Sequence, residues 1–166
     1  MTQKKRIAII GAGFAGLAAA RALHHADVEV ILIDRRNHHL FQPLLYQVAT
    51  AALSPAQIAQ PIRAILRKQR NCTVVLGEVI GIDKKTQKIC GAKGELAYDY
   101  LIIATGAAHA YFGNEAWSTY APGLKSIEDA TAIRQRILSA FERAEIAESE
   151  EEQQALLTFV IVGGGP

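Results

Sequence analysis

The amino-acid sequence predicts an α/β fold with a mostly parallel sheet and an antiparallel strand insertion around residues 73–98. Three features near the start of the chain predict it: an apolar run, a glycine-rich turn into a stretch of helix formers, and a second apolar run, at residues 6–10, 11–23 and 28–34. Short apolar runs bounded in this way are typical of buried parallel strands. Parallel strands need a crossover connection, and the stretch of helix formers supplies it. With 166 residues, 50% of them hydrophobic, the chain can bury a core.

The next predicted element is a helix from residue 54 to about residue 68. Ser54 suits the N-cap, Pro55 suits the first helical position, and Gln57 can close a capping box. Pro61 lies inside this helix and is expected to kink it, because proline has no amide hydrogen to donate.

The remainder of the chain is predicted to contain further strands and one long helix. Apolar runs predict strands at residues 73–82, 89–98, 100–104 and 156–162, with a turn at 83–86. Apolar residues at helical spacing predict a helix from residue 127 to about residue 148, and an acidic stretch follows at 148–152. The apolar stripe of this helix either packs on the domain or lies on a membrane surface. The acidic stretch favours packing, because anionic lipid would repel it.

Composition and charge exclude several classes of protein. The 18 Lys and Arg against 16 Asp and Glu leave a net charge of +2, without the clustered basic excess that is typical of nucleic-acid-binding proteins. The apolar runs are far shorter than the ~20 residues of a membrane span. The basic N-terminus runs directly into the first strand, so no signal peptide is predicted and a reduced, cytoplasmic protein is expected.

The cysteines and histidines indicate neither a metal site nor a disulfide framework. Cys72 and Cys90 are 18 residues apart with no nearby ligand pair, so both are interpreted as small structural thiols. The His24–His25 pair ends the first predicted helix, and the His38–His39 pair lies in a predicted loop. None of these spacings is typical of a metal site, so no metal ligand is predicted.

The glycine turn (residues 11–16) has the pattern Gly-x-Gly-x-x-Gly between a predicted strand and a predicted helix. Gly11 permits the tight turn, Gly13 lets a pyrophosphate approach the backbone, and Gly16 lets helix and strand pack closely. The amides at the helix start can then bind the phosphate charge. A purely structural tight turn is the alternative. The candidate cofactor-binding residues here are Gly11, Ala12, Gly13, Phe14, Ala15 and Gly16.

Asp34 stands at the end of the second predicted strand, 18 residues after the last glycine of the glycine turn. Its carboxylate can accept hydrogen bonds from both ribose hydroxyls, and its charge disfavours a 2′-phosphate. The glycine turn and Asp34 together predict a site for FAD or NAD rather than NADP. A solvated strand end is the alternative for Asp34. The adjacent Arg35 either reaches the adenosine or is solvated surface.

A second strand-plus-glycine unit begins where residues 160–162 run into the glycines at 163–165. It looks like the start of another dinucleotide fingerprint, and Gly163 and Gly165 are its candidate binding residues. Two such units in one chain suggest two dinucleotides, one permanently bound and one that exchanges. The alternative is a lone glycine-rich loop.

These features resemble the two-dinucleotide flavoproteins, and within them the type II NADH:quinone dehydrogenases. The general motifs are the glycine turn, Ala104-Thr105-Gly106 after a strand, and the glycines at 163–165. More specific stretches lie at residues 39–50 (HLFQPLLYQVAT), 61–67 (PIRAILR) and 121–130 (APGLKSIEDA). The resemblance covers the whole chain, but only the N-terminal portion of that family, which continues through an NADH domain and a membrane-binding part.

The resemblance implies a Rossmann-like FAD-binding domain, with FAD as the bound cofactor and NADH as a substrate. The glycine turn and Asp34 would hold the pyrophosphate and the adenosine ribose, and the backbone of Glu78 and Val79 would meet the adenine. Residues 41–50 would lie by the flavin and the quinone entry. The remaining cofactor-binding candidates are Arg35, Gln42, Ala104, Thr105, Gly106, Gly163 and Gly165. The flavin carries the chemistry, so no catalytic side chain is predicted.

The resemblance further implies an FAD-binding domain at residues 1–125, a linking helix and acidic connection at 126–155, and the truncated start of an NADH-binding domain at 156–166. The expected activity is hydride transfer from NADH to FAD and electron transfer to a quinone in the respiratory chain, without proton pumping. Residues 1–166 alone are expected to lack it. The chain after about residue 150 is expected to be disordered or to contact another molecule.

Two other functions stay open at this point: an FAD-dependent NADH reductase for another acceptor, such as ferredoxin, and a dinucleotide-binding module without catalysis. The expected partners are NADH and a quinone, with no nucleic acid. Membrane contact is expected only through the C-terminal part, which would hold the full-length protein peripherally at the inner, cytoplasmic face of the cell membrane. A homodimer is left open.

Overall fold

The computed structural model describes residues 4–92 and 94–163. The chain divides into two units, which are described separately. The first contains Met1–Leu40 and Ala59–Ala107, and the second contains Phe41–Ile58 and Ala108–Pro166.

The elements follow one another in a strand-rich first part and a helical second part. The described strands are β1 (Lys5–Ile10), β2 (Val28–Asp34), β3 (His38–Leu40), β4 (Ala59–Pro61), β5 (Cys72–Leu76), β6 (Val79–Asp83), β7 (Lys88–Gly91), β8 (Gly94–Ala97) and β9 (Tyr100–Ile103). The described α-helices are α1 (Phe14–Ala22), α2 (Leu45–Ala49), α3 (Pro55–Ile58), α4 (Ile62–Ile65), α5 (Ile127–Glu145) and α6 (Glu150–Leu156). Short 3₁₀ turns lie at Gln42–Leu44 and Glu115–Thr119.

The first unit is built on a parallel sheet with the strand order β5-β2-β1-β9. Ile10 of β1 is level with Ile33 of β2 and with Ile103 of β9. The carboxyl ends of these strands therefore meet at one edge of the sheet. The residues that follow them, Gly11, Asp34 and Ala104, come together there because of this register. The predicted parallel sheet is confirmed.

The sheet buries apolar side chains on both faces, because successive residues of a strand point in opposite directions. One face packs against α1 and α4 through Ile7, Ile9, Ala12, Leu17, Ala20, Val30, Leu32, Ile62 and Leu66. The other face packs against β7 through Ala8, Ile10, Ile31, Ile33 and Ile89. Full burial of each large aliphatic side chain stabilises the fold by about 1.5–3 kcal/mol. The glycine turn is thus attached to the most completely buried strands of the unit.

The predicted antiparallel insertion is confirmed as the sheet β6-β7-β8, but the two long strands predicted there are wrong. Residues 73–82 are divided between β5, which pairs with β2, and β6, which pairs with β7. Gly77 and Glu78 separate them, and the amide of Gly77 donates to the carbonyl of Asp34 at 2.9 Å. Residues 89–98 are likewise divided between β7 and β8. An apolar run indicates that a segment is buried, but it does not indicate which strand that segment pairs with.

The kinked helix predicted at residues 54–68 is also wrong, because a strand interrupts it. β4 pairs antiparallel with β3, with His39 opposite Gln60 and Pro61 opposite His38. Gln60 precedes a proline and therefore favours an extended backbone. The capping role of Gln57 is confirmed in part, since its Oε1 accepts the amide hydrogen of Ser54 at 2.8 Å. The His38–His39 pair consequently lies in a strand and not in the predicted loop.

The second unit packs α2 against α5 and α5 against α6. Its buried side chains include Leu45, Val48, Ala49, Ile58, Ala130 and Ala144. α5 begins at a capping box, in which the Ser126 hydroxyl accepts from the Asp129 amide at 3.1 Å and the Asp129 carboxylate accepts from the Ser126 amide at 2.9 Å. The predicted helix is therefore confirmed, with its end at Glu145.

The prediction of a strand at residues 156–162 is wrong. Residues 150–156 form α6, with Ser149 as the N-cap and three glutamates in the first turn, where the helix dipole favours negative charge. The sequence predicted disorder or contact with another molecule from about residue 150 onward, and α6 is a defined helix within that range. In the described part of the chain, residues 158–163 pair with no strand, and the side chains of residues 160–162 are 83–87% exposed. A strand needs a partner, and an apolar run by itself does not provide one.

Candidate dinucleotide-binding site

In the glycine turn (residues 11–16), two glycines lie so close to backbone atoms that a side chain would not fit. Gly11 has a φ of +98°, a region that side chains disfavour, and a Cβ there would collide with the carbonyl of Ala104. A Cβ at Gly16 would collide with the carbonyl of Gly11. Gly11 is held in place by its amide, which donates to the carbonyl of Ile33 at 2.7 Å. Helix, strand and turn therefore approach as closely as the sequence predicted.

Gly13 is different, because the protein itself leaves space beside it. A Cβ at Gly13 would meet no described atom within 4 Å. Its φ of −71° and ψ of −162° are extended values that any residue adopts. Neither packing nor backbone conformation within the described chain therefore requires glycine at this position. A bound group that comes close to the backbone would require it.

Gly13 is the N-cap of α1, so the amides of the first helical turn begin beside this open space. First-turn amides have no acceptor within their own helix, and their partial positive charge attracts anions. The first turn contains no acidic residue, and Phe14 and Ala15 in it are exposed. The arrangement suits a phosphate group.

Asp34 lies beside the glycine turn at the end of β2. One carboxylate oxygen accepts from the amide of Ala12 at 2.6 Å, and the other accepts from the amide of Arg36 at 2.7 Å. An ionised carboxylate has about four acceptor positions, so these two bonds leave acceptor capacity for ribose hydroxyls. Asp34 therefore holds the glycine turn in addition to standing where a ribose is predicted.

His39 is a residue of this site that the sequence analysis missed. Its Nδ1 lies 3.1 Å from the carbonyl oxygen of Ala12, and its ring meets the ring of Phe14 edge-on with a centroid separation of 5.1 Å. His39 begins the specific stretch at residues 39–50, and it is placed by β3 (His38–Leu40), which pairs with β4. No local pattern reveals a contact between residues 27 positions apart.

Two further predicted segments lie at the same edge of the sheet. Glu78 and Val79 follow Gly77, whose amide donates to the carbonyl of Asp34. Ala104 follows β9, and its amide donates to the carbonyl of Ile10 at 2.8 Å. Thr105 and Gly106 are exposed, and Gly106 has a φ of +73°. The first unit thus brings the glycine turn together with Asp34, Glu78, Val79, Ala104, Thr105 and Gly106.

The other predicted residues are Arg35, Gln42, Gly163 and Gly165. Arg35 is exposed. Gln42 belongs to the second unit, where its side-chain amide donates to the carbonyl of Lys125 at 3.3 Å. Gly163 is also in the second unit and has a φ of +89°. Gly165 lies outside the described residues.

Cys72 and Cys90 are free thiols. Cys72 begins β5 and is level with Val30, whereas Asp34 is level with Leu76. Four residues of strand separate the two levels, which is about 13 Å along the sheet. Burial raises the pKa of the Cys72 thiol, which makes its reactive thiolate form less accessible. These features favour a structural thiol over a redox-active one.

Residues 4–92 and 94–163 contain no group of three or more His, Cys, Asp or Glu side chains that could hold a metal ion. Over the same ranges, no helix combines the length and the hydropathy that crossing a membrane requires.

The sequence model of one protein family, described as pyridine nucleotide-disulphide oxidoreductase, matches residues 5–166. Among curated proteins, the chain is 52% identical to the type II NADH:quinone oxidoreductase Ndh of Mycobacterium tuberculosis, over 99% of this chain and 36% of that protein. It is 36% identical to the mitochondrial external alternative NAD(P)H-ubiquinone oxidoreductase B2 of Arabidopsis thaliana, over 99% of this chain and 30% of that protein. The chain therefore spans about a third of the length of these relatives.

Solved structures show the same fold. NDH2 from Plasmodium falciparum in complex with NADH matches with a TM-score of 0.80 and 28% identity, over 92% of this chain and 32% of that one. The sulfide:quinone oxidoreductase of Aquifex aeolicus matches with a TM-score of 0.76 and 26% identity, over 83% of this chain and 32% of that one.

Proposed function

Since the chain belongs to the pyridine nucleotide-disulphide oxidoreductase family, we propose that it is the FAD-binding part of a type II NADH:quinone oxidoreductase. The whole protein would take a hydride from NADH and pass the electrons to a quinone. The observation that carries the proposal is the open space beside Gly13, at an uncapped helix start next to Asp34. The 52% identity to a protein named for this activity supports the choice of reaction.

The residues of the first unit fit the adenosine and pyrophosphate half of FAD. The amides at the start of α1 would hold the pyrophosphate, because Gly13 is the N-cap of α1 and first-turn amides have no acceptor within the helix. Asp34 would accept hydrogen bonds from the ribose with its remaining acceptor capacity. The backbone at Glu78 and Val79 would meet the adenine, since Gly77 ties that segment to Asp34. The proposed binding set is Gly11, Ala12, Gly13, Phe14, Ala15, Gly16, Asp34, Glu78, Val79, Ala104, Thr105 and Gly106.

A bound FAD would supply the hydride and electron chemistry, so the chain needs no acid–base side chain for it. The chain's own part is to bind and to orient. Gly11 and Gly16 keep the turn tight, and Asp34 and His39 hold Ala12 beside the phosphate position. Ala104 follows β9 at the same edge and would line the path of the bound FAD.

The proposal includes the substrates and the cellular location of the whole protein. NADH and a quinone would be its substrates. Quinones are lipid-soluble, so the protein would sit peripherally at the inner face of the cell membrane and reach it through parts other than these residues. A reductase for ferredoxin would share the same FAD half-site, so the acceptor must be tested directly.

The experiment is a steady-state assay of the full-length protein, purified with its cofactor, with NADH and either a soluble quinone or ferredoxin as acceptor. We expect turnover with the quinone that Gly13→Val abolishes. The matched control is Asp27→Asn. Asp27 directly precedes β2, and its exposed carboxylate forms a salt bridge with Lys4. Activity with ferredoxin and none with quinone would overturn the proposed acceptor. Full activity in Gly13→Val would overturn the proposed site.

A further inference from the structure

We propose that His39 is a positioning residue for pyrophosphate binding, which aims the amide of Gly13 by donating its Nδ1 hydrogen to the carbonyl of Ala12. The inference rests on the proposed FAD site and goes beyond it, because His39 belongs to neither the glycine turn nor the ribose-binding position.

The tautomer of His39 follows from the partner of its Nδ1. A carbonyl oxygen can only accept a hydrogen bond, and the oxygen of Ala12 is 3.1 Å from Nδ1. Nδ1 must therefore carry the hydrogen. In the neutral ring, Nε2 is then the atom with the lone pair.

Two contacts hold the His39 ring at the start of α1, namely the hydrogen bond to Ala12 and the ring of Phe14. The backbone of His39 is in β3, opposite Gln60 of β4. The Phe14 ring meets the His39 ring at an interplanar angle of 89°, which is the favourable edge-to-face arrangement. Since Phe14 is the first residue of α1, His39 touches both the turn and the helix that follows it.

Ala12 is held from two sides by side chains of two different strands. Its amide donates to Asp34 of β2, and its carbonyl accepts from His39 of β3. Ala12 is only 2% exposed, and a buried carbonyl needs a hydrogen-bond partner. Removing the His39 imidazole would leave this carbonyl without the donor that fixes its direction.

The direction of the Ala12 carbonyl determines that of the next amide. A trans peptide is planar, so the carbonyl of residue 12 and the N–H of residue 13 point in opposite directions. The described chain has no cis peptide bond. By holding the Ala12 carbonyl, His39 therefore holds the Gly13 N–H pointing away from itself, and Gly13 is the residue beside the open space where the pyrophosphate is proposed. A small rotation of this one peptide would misalign that amide.

The test measures ligand affinity in the full-length protein after its cofactor has been removed, with FAD, ADP and adenosine as probes. His39→Leu removes the donor, and His39→Asn keeps an N–H donor near the position of Nδ1. We expect His39→Leu to weaken FAD and ADP by a similar factor, about ten-fold, which is the effect of one lost hydrogen bond. Adenosine, which has no phosphate, should be unaffected. His39→Asn should restore FAD binding to within about three-fold of the wild type.

The matched control is His25→Leu, because His25 is exposed and stacks only on the neighbouring His24 in the described chain. Equal weakening of adenosine and ADP in His39→Leu would overturn the proposal, since it would indicate a general structural defect. Unchanged FAD affinity in His39→Leu would overturn it too, while leaving the proposed function intact if the wild type binds FAD. A wild type that binds no FAD would instead refute the proposed function.

A second measurement does not depend on the folding of any variant. In holoprotein labelled with ¹⁵N in its histidines, His39 should show a protonated Nδ1 and, when neutral, an unprotonated Nε2. The opposite tautomer would refute the proposed hydrogen bond directly.

Discussion

The same substitution, glycine to valine, should have opposite consequences at two glycines of the glycine turn. At Gly13, valine should leave the stability of the cofactor-free protein nearly unchanged and should prevent dinucleotide binding. At Gly16, the cofactor-free protein itself should be destabilised. The contrast follows from what a side chain would meet: nothing described within 4 Å at Gly13, and the carbonyl of Gly11 at Gly16.

The two substitutions should change the free energy of unfolding by different amounts. Valine at the N-cap position of Gly13 costs roughly 0.5–1 kcal/mol relative to glycine, and the lower entropy of the unfolded chain offsets about 0.4–1 kcal/mol of it. The net change should stay below about 1 kcal/mol. At Gly16, overpacking against backbone that cannot yield should cost on the order of 1–3 kcal/mol. The Gly11 carbonyl cannot yield because it shares a planar peptide with the Ala12 amide, which donates to the Asp34 carboxylate at 2.6 Å.

The loss of binding free energy in Gly13→Val should be larger than either of these two changes in the free energy of unfolding. If the side chain displaces the pyrophosphate from two helix-start amides, each charge-assisted bond lost is worth ~1.5–3 kcal/mol. The total of roughly 3–6 kcal/mol corresponds to about a 10²- to 10⁴-fold loss of FAD affinity. Denaturant unfolding of the cofactor-free protein and titration with FAD measure the two effects separately. Wild-type FAD affinity in Gly13→Val would contradict a pyrophosphate site beside Gly13, and a Gly16→Val protein as stable as the wild type would contradict the close packing at Gly16.

Three further predictions concern single side chains. Asp34→Ala should weaken FAD binding by ~1.5–3 kcal/mol in the same titration, because a charge-assisted hydrogen bond is lost; unchanged affinity would remove Asp34 from the site. Ser126→Ala should lower the free energy of unfolding by about 1 kcal/mol in denaturant, because it removes the N-cap of α5, and an unchanged midpoint would contradict that role. Hydrogen bonds from the Arg6 amide and the Lys5 ammonium hold the pKa of Asp99 below its ordinary value. Asp99→Asn should therefore be less stable than the wild type above about pH 4, with the difference shrinking as the pH falls through the lowered pKa, and a difference that grows in acid would contradict this sign.

The parts of the fold that could be predicted are those with local signals. Strand, glycine turn, helix and strand from residue 6 to residue 34 each have their own sequence pattern, and the structure confirms all four. α5 was predictable for the same reason, because its apolar spacing is local and Ser126 and Asp129 form its capping box. In both cases the residues that determine the element lie within it or directly beside it.

The wrong predictions share a different cause, which is strand pairing between residues that are distant in the sequence. β4 forms within a predicted helix because it pairs with β3, and β5 and β6 divide one apolar run because they pair with different strands. The predicted strand at residues 156–162 has no partner in the described chain and does not form. His39 was missed for the same reason, since its contact with Ala12 depends on the β3–β4 pairing. Of the candidate site, the glycines and Asp34 could be predicted from spacing alone.

If this chain binds FAD at the glycine turn, the purified protein must contain flavin. The visible absorbance of the full-length protein, with chromatographic identification of the released nucleotide, gives the cofactor and its amount per chain. We expect one FAD per chain in the wild type and in Asp27→Asn, and none in Gly13→Val. A colourless wild-type protein that releases NAD or no nucleotide would contradict this expectation, as would a Gly13→Val protein that retains its full content of FAD.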